Sequence, residues 1–275
     1  MIWKIELGSA VLYGIRDGQT DRDPIEFLIG SNPEALARYP QYLTADGLMT
    51  NSFSCYLFDT GSRRVLVDTG FGYNAHGGVG AMPAALETLG VAPGDIDHVV
   101  FTHMHPDHIL GSLDADQAPL FANASHATLK REVEHWRSGT DDRSVGITRV
   151  ADILDGAGLL DAADEPGRIV PGVTTFASYG HTPGHTAVRL SSGDDEVVIA
   201  GDLTFSQIQI EYTDWNFPYD VDKPRAAAAR AEFFDMLADS GVPYVAGHYV
   251  HPGYGRVVVT AEGRSYEALP VTEIA

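Results

Sequence analysis

The sequence predicts an α/β protein in which helices cover buried β-sheets. Three observations carry that expectation. Short β-rich runs recur along the chain, several are apolar at every position, and helical patterns lie between them. A strand with no polar face has no face for solvent, so other elements must cover the sheet on both sides.

The first 50 residues show little periodicity. They include "DRDPIEFLIGSNPEALARYPQYL" (21–43) and read as an N-terminal extension, either a lid or a dimer arm. "FSCYLF" (53–58) and "RRVLVDTG" (63–70) then read as strands, rich in aromatic and β-branched residues. A helical pattern near 81–90 precedes "HVVFTH" (98–103), a strand ending on His103. His98, at its start, reads as a surface residue. A second helix is expected over 125–138, where "SHATLKREVEHW" carries enough charge to put His126 and His135 on a solvated face. "TAVRLSS" (186–192) and "EVVIAGD" (196–202) are strands, the latter ending on Asp202. The alanine-rich helix at 223–240 has Asp222 as its cap, Pro224 in its first turn and Gly241 past its end. "VPYVAGH" (242–248) ends on His248, and "RVVVT" (256–260) follows. With no repeat and no low-complexity linker, residues 1–275 are expected to form a single domain.

Composition bounds the function. With 38 acidic and 18 basic residues the formal net charge is −20, which repels phosphate backbones and anionic lipid. Nucleic-acid and membrane partners are therefore not expected, and a small-molecule substrate is. The single cysteine, Cys55, excludes an internal disulfide and a thiolate-rich zinc site, fits a reducing compartment, and reads as a core residue. No apolar run long enough to cross a membrane and no export signal is recognisable, so a cytoplasmic location is expected.

"HMHPDH" (103–108) concentrates ligand-type side chains. His103 and His105 are two apart and point to one side of an extended chain. Pro106 keeps His105 extended and then turns the chain, which can bring Asp107 and His108 to the same place. "YGHTPGHT" (179–186) adds His181 and His185, "IAGDLTF" (199–205) adds Asp202, and "VAGHYVHPGYG" (245–255) adds His248. Imidazole and carboxylate without thiolate suit Zn²⁺, with Mn²⁺, Fe²⁺ and Co²⁺ as substitutes.

In this order the motifs HxHxDH, GHTPGH, GD and a strand-end GH resemble the metallo-β-lactamase fold superfamily of hydrolases. The resemblance covers about residues 50 to 260 and implies a four-layer αβ/βα sandwich of two mixed β-sheets flanked by helices. It also implies two divalent metal ions per chain. His103, His105 and His181 would hold one, Asp107, His108 and His248 the other, and Asp202 would bridge them with a hydroxide that attacks the substrate. Asp107 and Asp202 would be the catalytic carboxylates. Asp68, in "VDTG", and His185 would support the metal loops from behind.

The resemblance also narrows the reaction. A nucleic-acid processing member would need a basic track, and a glutathione-thioester hydrolase would need a helical domain where "RVVVT" and later strands stand. A secreted β-lactamase would need an export signal, and an electron-transfer member a flavin domain. What remains is hydrolysis of a small-molecule ester or lactone, with phosphotriester hydrolysis or a mononuclear iron dioxygenase as alternatives. Lactonases of this fold place a carbonyl-binding tyrosine three residues past the bridging aspartate, where this chain has Phe205. Substrate contacts are assigned to Phe205, Tyr212, Trp215 and His251. The aromatic loop 208–220 either lines a pocket or packs the following helix, and His76 stands in a loop that could border the site.

Overall fold

The computed structural model describes residues 1–73, 77–261 and 263–274. Strands β1 (Ile2–Leu7), β2 (Ala10–Arg22), β3 (Met49–Asp59), β4 (Arg64–Val67), β5 (His98–Val100), β6 (Ser125–Leu129) and β7 (Leu160–Ala163) form one sheet. Strands β8 (Arg168–Val170), β9 (Val173–Ala177), β10 (Thr186–Ser192), β11 (Asp195–Ile199), β12 (Tyr244–Val245), β13 (Tyr254–Thr260) and β14 (Gly263–Ala268) form the second. The last strand, β15 (Thr272–Ile274), returns to the edge of the first sheet beside β1. Both sheets are mixed: β4 to β7 pair in parallel beside antiparallel β1 to β4, and β11–β12 is a parallel pair in an otherwise antiparallel sheet.

The helices are α1 (Pro24–Phe27), α2 (Pro33–Leu36), α3 (Met82–Thr88), α4 (Pro106–Ile109), α5 (Lys130–Ser138), α6 (Asp142–Gly156) and α7 (Lys223–Ser240). The apolar strands serve two layers at once, because alternate residues face opposite ways. In β4, Val65 and Val67 enter the core between the sheets, while Leu66 faces the core under α3, α5 and α6. In β11, Val197 and Ile199 face the other sheet, while Val198 faces α7 with Phe233, Phe234 and Leu237. Each such side chain contributes roughly 1.5–3 kcal/mol through burial, so neither sheet is stable without its helical cover. The expected four-layer sandwich is the observed fold, and Cys55 is buried in it.

α7 is bounded as its sequence signals predict. The Asp222 side chain accepts from the Arg225 N–H, a proline occupies the first turn, and Gly241 ends the helix with φ 70°. Elsewhere the structure corrects the reading. Residues 2–22 are not an extension. They form β1 and β2, and β2 pairs with β3 over its length across a bulge at Arg16/Gly18. Outside the sheets near this end of the chain, residues 24–43 carry α1 and α2. They pack as a fourth apolar cluster against Phe205, Ile208, Trp215 and Phe217 of the same chain. His126 is buried in β6, paired with Val99 on one side and Leu160 on the other, so the helix expected from 125 begins only at Lys130. His98 is half-buried and bonds Ser125 Oγ at 2.8 Å. No helix among the described residues is long and apolar enough to cross a membrane.

Candidate metal centre

Three buried strands aim the site. β5, β11 and β12 end at Val100, Ile199 and Val245, and His103, Asp202 and His248 each stand in the turn just beyond, not on the strand's last residue as read from sequence. Ile199 and Val245 are paired neighbours, so Asp202 and His248 leave the sheet side by side. The proline turn forms as expected. His105 is extended (φ −64°, ψ 160°), and Pro106 opens the single turn of α4 that carries Asp107 and His108.

Among the described residues, two groups of ligand-type side chains converge. In the first, His103 Nε2 and His181 Nε2 lie 2.8 and 2.9 Å from His105 Nδ1, and Asp202 Oδ2 lies 3.3 Å from His181 Nε2 and 3.6 Å from His103 Nε2. In the second, Asp202 Oδ1 lies 2.9 Å from His248 Nε2 and 3.0 Å from His108 Nε2, with Asp107 Oδ2 3.4 Å from His108 Nε2. Asp202 therefore presents one oxygen to each group.

The outer nitrogens explain why the inner ones point as they do. His248 Nδ1 bonds the Ser52 carbonyl at 2.7 Å, His108 Nδ1 bonds Asp68 Oδ2 at 2.8 Å, and His181 Nδ1 bonds Asp220 Oδ1 at 2.8 Å. Carbonyls and carboxylates only accept, so each Nδ1 carries a proton and each ring turns its Nε2 inward. Lone pairs gathered within 3 Å repel unless a cation or a proton lies between them. His108 Nε2 is buried there and makes no hydrogen bond. The donor set therefore fits divalent cations.

His185 is different. Its Nε2 accepts from the Asp202 N–H at 2.9 Å and its Nδ1 bonds Ser178 Oγ at 2.8 Å, so both nitrogens are committed and it stands outside both groups. Gly201 is required beside it, since a Cβ there would lie 2.7 Å from His185 Nε2 and φ is +56°. Asp68, in the left-handed region at φ 60°, accepts from the Thr102 N–H and hydroxyl, both at 2.8 Å, as well as from His108.

The electrostatics are those of a pocket that attracts positive charge. Burial alone would depress every imidazole, and with their like-charged neighbours His103 and His105 are held well below the usual range. His181 is instead pushed up to about 9, because Asp202 and Asp220 outweigh its burial. Burial would raise Asp202, yet His248, His108 and His103 hold it well below the carboxylate range. His185, buried and next to His181, falls to about 3 and stays neutral. Protons gathered on the rings facing the acids are what cations would displace.

Over the two groups opens a cleft lined by Asp107, Asp202, His105 and His248 together with Phe53, Phe71, Phe205 and Phe217, with Arg22, Arg143 and Tyr219 among its other lining residues. Phe205 stacks on His248 (4.7 Å between centroids) and on Phe217 (3.8 Å). The other expected substrate contacts lie elsewhere. Tyr212 and Trp215 stack on one another 4.1 Å apart, and Tyr212 accepts from Arg38, so they brace the N-terminal segment. His251 bonds Glu273 at 2.9 Å. His76 lies outside the described residues.

Several supporting residues escaped the sequence reading. Glu132, fully buried in α5, accepts from the N–H groups of Met104 (3.1 Å) and Gly184 (2.8 Å) and from the Trp136 indole (2.8 Å). Asp220 also accepts from the Phe217 N–H at 2.8 Å and lies 3.5 Å from buried Arg230. Arg230 donates to the carbonyls of Leu203, Thr213 and Trp215. Asp17, in the β2 bulge, gathers the N–H groups of Phe71, Gly80 and Met82.

Comparison with known proteins agrees with this geometry. The metallo-beta-lactamase superfamily pattern matches residues 52–248. A probable metallo-hydrolase of Mycobacterium tuberculosis is 33% identical over 174 residues, 54% of this chain and 56% of that protein. The N-acyl homoserine lactonase AttM of Azorhizobium caulinodans is 34% identical over 116 residues, 39% of this chain and 41% of its own. The chain thus spans about half the length of the curated relatives it matches. Among solved structures, AidC, a dizinc quorum-quenching lactonase in complex with a product, superposes with a TM-score of 0.89 at 27% identity, covering 99% of this chain and 98% of AidC. The hydrolase AbOPH shares the fold, with a TM-score of 0.87 at 21% identity over 99% of this chain and 98% of its own.

Proposed function

The chain belongs to the metallo-β-lactamase superfamily, and we propose that it is a hydrolase opening small-molecule esters and lactones at a centre of two divalent cations, Zn²⁺ first among them. One observation carries the reading: Asp202 divides its carboxylate between two complete ligand groups, Oδ2 toward His103 and His181 and Oδ1 toward His108 and His248. A bridging carboxylate offsets the repulsion of two cations held a few ångströms apart. The likeness to a dizinc lactonase along nearly the whole chain supports the same reading.

His103, His105 and His181 would hold one cation, and Asp107, His108 and His248 the other. Such a pair activates a water molecule and polarises a carbonyl oxygen. The chain supplies the rest. Asp107, a member of the second group, lines the cleft, where its carboxylate can take the proton of the attacking water and pass it to the leaving oxygen. Asp202, held by the His185-bound amide, fixes the separation of the groups. The Phe53, Phe71, Phe205 and Phe217 wall excludes water and receives the apolar part of the substrate.

The test is a panel of lactones, aryl esters and phosphotriesters offered to zinc-loaded protein. Turnover of a lactone or aryl ester, lost on chelation and restored by zinc, is expected. A silent panel together with one bound iron per chain would instead indicate a mononuclear oxygenase.

A further inference from the structure

Asn51 stands in the cleft with its side-chain amide unpaired. It lies in β3 opposite Thr20, one residue before Ser52, whose carbonyl holds His248. The residue is only 4% exposed, its Oδ1 is sealed from solvent with no hydrogen-bond partner, and its Nδ2 makes no hydrogen bond among the described residues. A buried amide left unpaired costs stability, and nearly all such groups in folded proteins find a partner. One kept unpaired on a rigid strand beside a reaction centre is poised for a partner that arrives with the substrate.

The other lining groups do not compete for that role. Asp107 and Asp202 are acceptors, His105 and His248 are turned to the cation groups, and Phe205 has no donor. Arg22, Arg143 and Tyr219 are exposed at the mouth, and Arg143 is stacked on the Tyr219 ring at 4.4 Å. Asn51 is the buried neutral donor among the described lining residues. Its Oδ1 is the sealed end, which leaves the NH₂ to the cleft.

Resting on the hydrolase reading, we infer that the Asn51 side-chain NH₂ donates to the carbonyl oxygen of the ester or lactone. It strengthens that bond as the oxygen gains negative charge in the tetrahedral transition state. The amide is already fixed by the strand, so no reorganisation is needed when the charge develops.

The consequence is an inverse relation between stability and activity at this position. Asn51→Leu replaces an unpaired amide by an apolar group of similar volume, so its urea midpoint should equal or exceed that of wild type. Its kcat/KM on a lactone or aryl ester should fall about 100-fold. Asn51→Ser, which keeps a donor, should retain more activity than Asn51→Leu. Affinity for an alkylphosphonate monoester, a tetrahedral mimic measured by calorimetry on zinc-loaded protein, should weaken in parallel with kcat/KM. Wild-type turnover and phosphonate affinity in Asn51→Leu would overturn the inference. So would a loss of activity that comes with a lowered urea midpoint, because the amide would then be structural. If wild type hydrolyses nothing in the panel the hydrolase reading fails, and the phosphonate comparison still reports whether Asn51 binds a tetrahedral oxygen.

Discussion

Glu132 is the support whose removal should disturb the centre most without touching a ligand. It sits in α5, fully buried, and its two oxygens accept three N–H groups: Met104 at 3.1 Å, Trp136 Nε1 at 2.8 Å and Gly184 at 2.8 Å. Met104 lies between His103 and His105, and Gly184 lies between His181 and His185. One carboxylate therefore joins the two loops that carry the three histidines of the first group. The fit is close, since a Cβ on Gly184 would lie 2.6 Å from Glu132 Cβ. Glu132→Ala leaves three buried donors without an acceptor, a loss of about 3–5 kcal/mol. Glu132→Gln keeps the volume but turns an NH₂ against at least one donor, at about 1–3 kcal/mol. Both should weaken zinc binding about 10–100-fold, the effect of losing a group that orients ligands. Urea denaturation of metal-free protein reads the first effect, and zinc competition against a chelating dye reads the second. Stability within about 1 kcal/mol of wild type in Glu132→Ala would refute the clamp. Lowered stability with unchanged zinc affinity would show that the clamp holds the fold but does not set the ligands.

Two further outcomes are expected. Burial lowers His126 from 6.5 to about 4, so between those values the unfolded chain binds a proton that the folded chain refuses. Stability should therefore fall as the pH drops below about 6.5, by about 2 kcal/mol at pH 5, and His126→Leu should lose less over that interval. Parallel pH profiles of urea midpoints would count against this. His181→Ala should lose one metal ion, whereas His185→Ala, which removes only an acceptor for the Asp202 amide, should keep two with weaker affinity. The reverse order by elemental analysis would mean that His185 is the ligand.

The converging histidines and aspartates were legible because their signals are local. Three apolar runs point His103, Asp202 and His248 at one rim, and a proline turn explains why Asp107 and His108 join them. The exact strand ends were not legible, since apolar residues continue past the last ladder bond into the loops that carry the cluster. His126 was misplaced because "LKREVEHW" is good helix while "SHATL" is claimed by pairing to Val99 and Leu160, a tertiary choice that overrides local pattern. β1 and β2 were missed because glycines and charges interrupt their alternation, the bulge at Arg16/Gly18 among the causes. Glu132, Asp220, Arg230 and Asn51 left little trace, because their partners lie far along the chain or, for Asn51, are not found among the described residues. A lone carboxylate in a charged helix reads like any solvated one. Only its neighbours Val133 and Trp136, on the same buried face, hint that Glu132 points inward.

The central claim is that Asp202 joins two cation sites. Elemental analysis of purified wild type and Asp202→Ala, alongside turnover of one lactone, tests it most directly. Two divalent ions per wild-type chain are predicted, and at most one in a folded Asp202→Ala protein that has lost nearly all turnover. Two ions and wild-type turnover in Asp202→Ala, or a single iron in wild type, would contradict it.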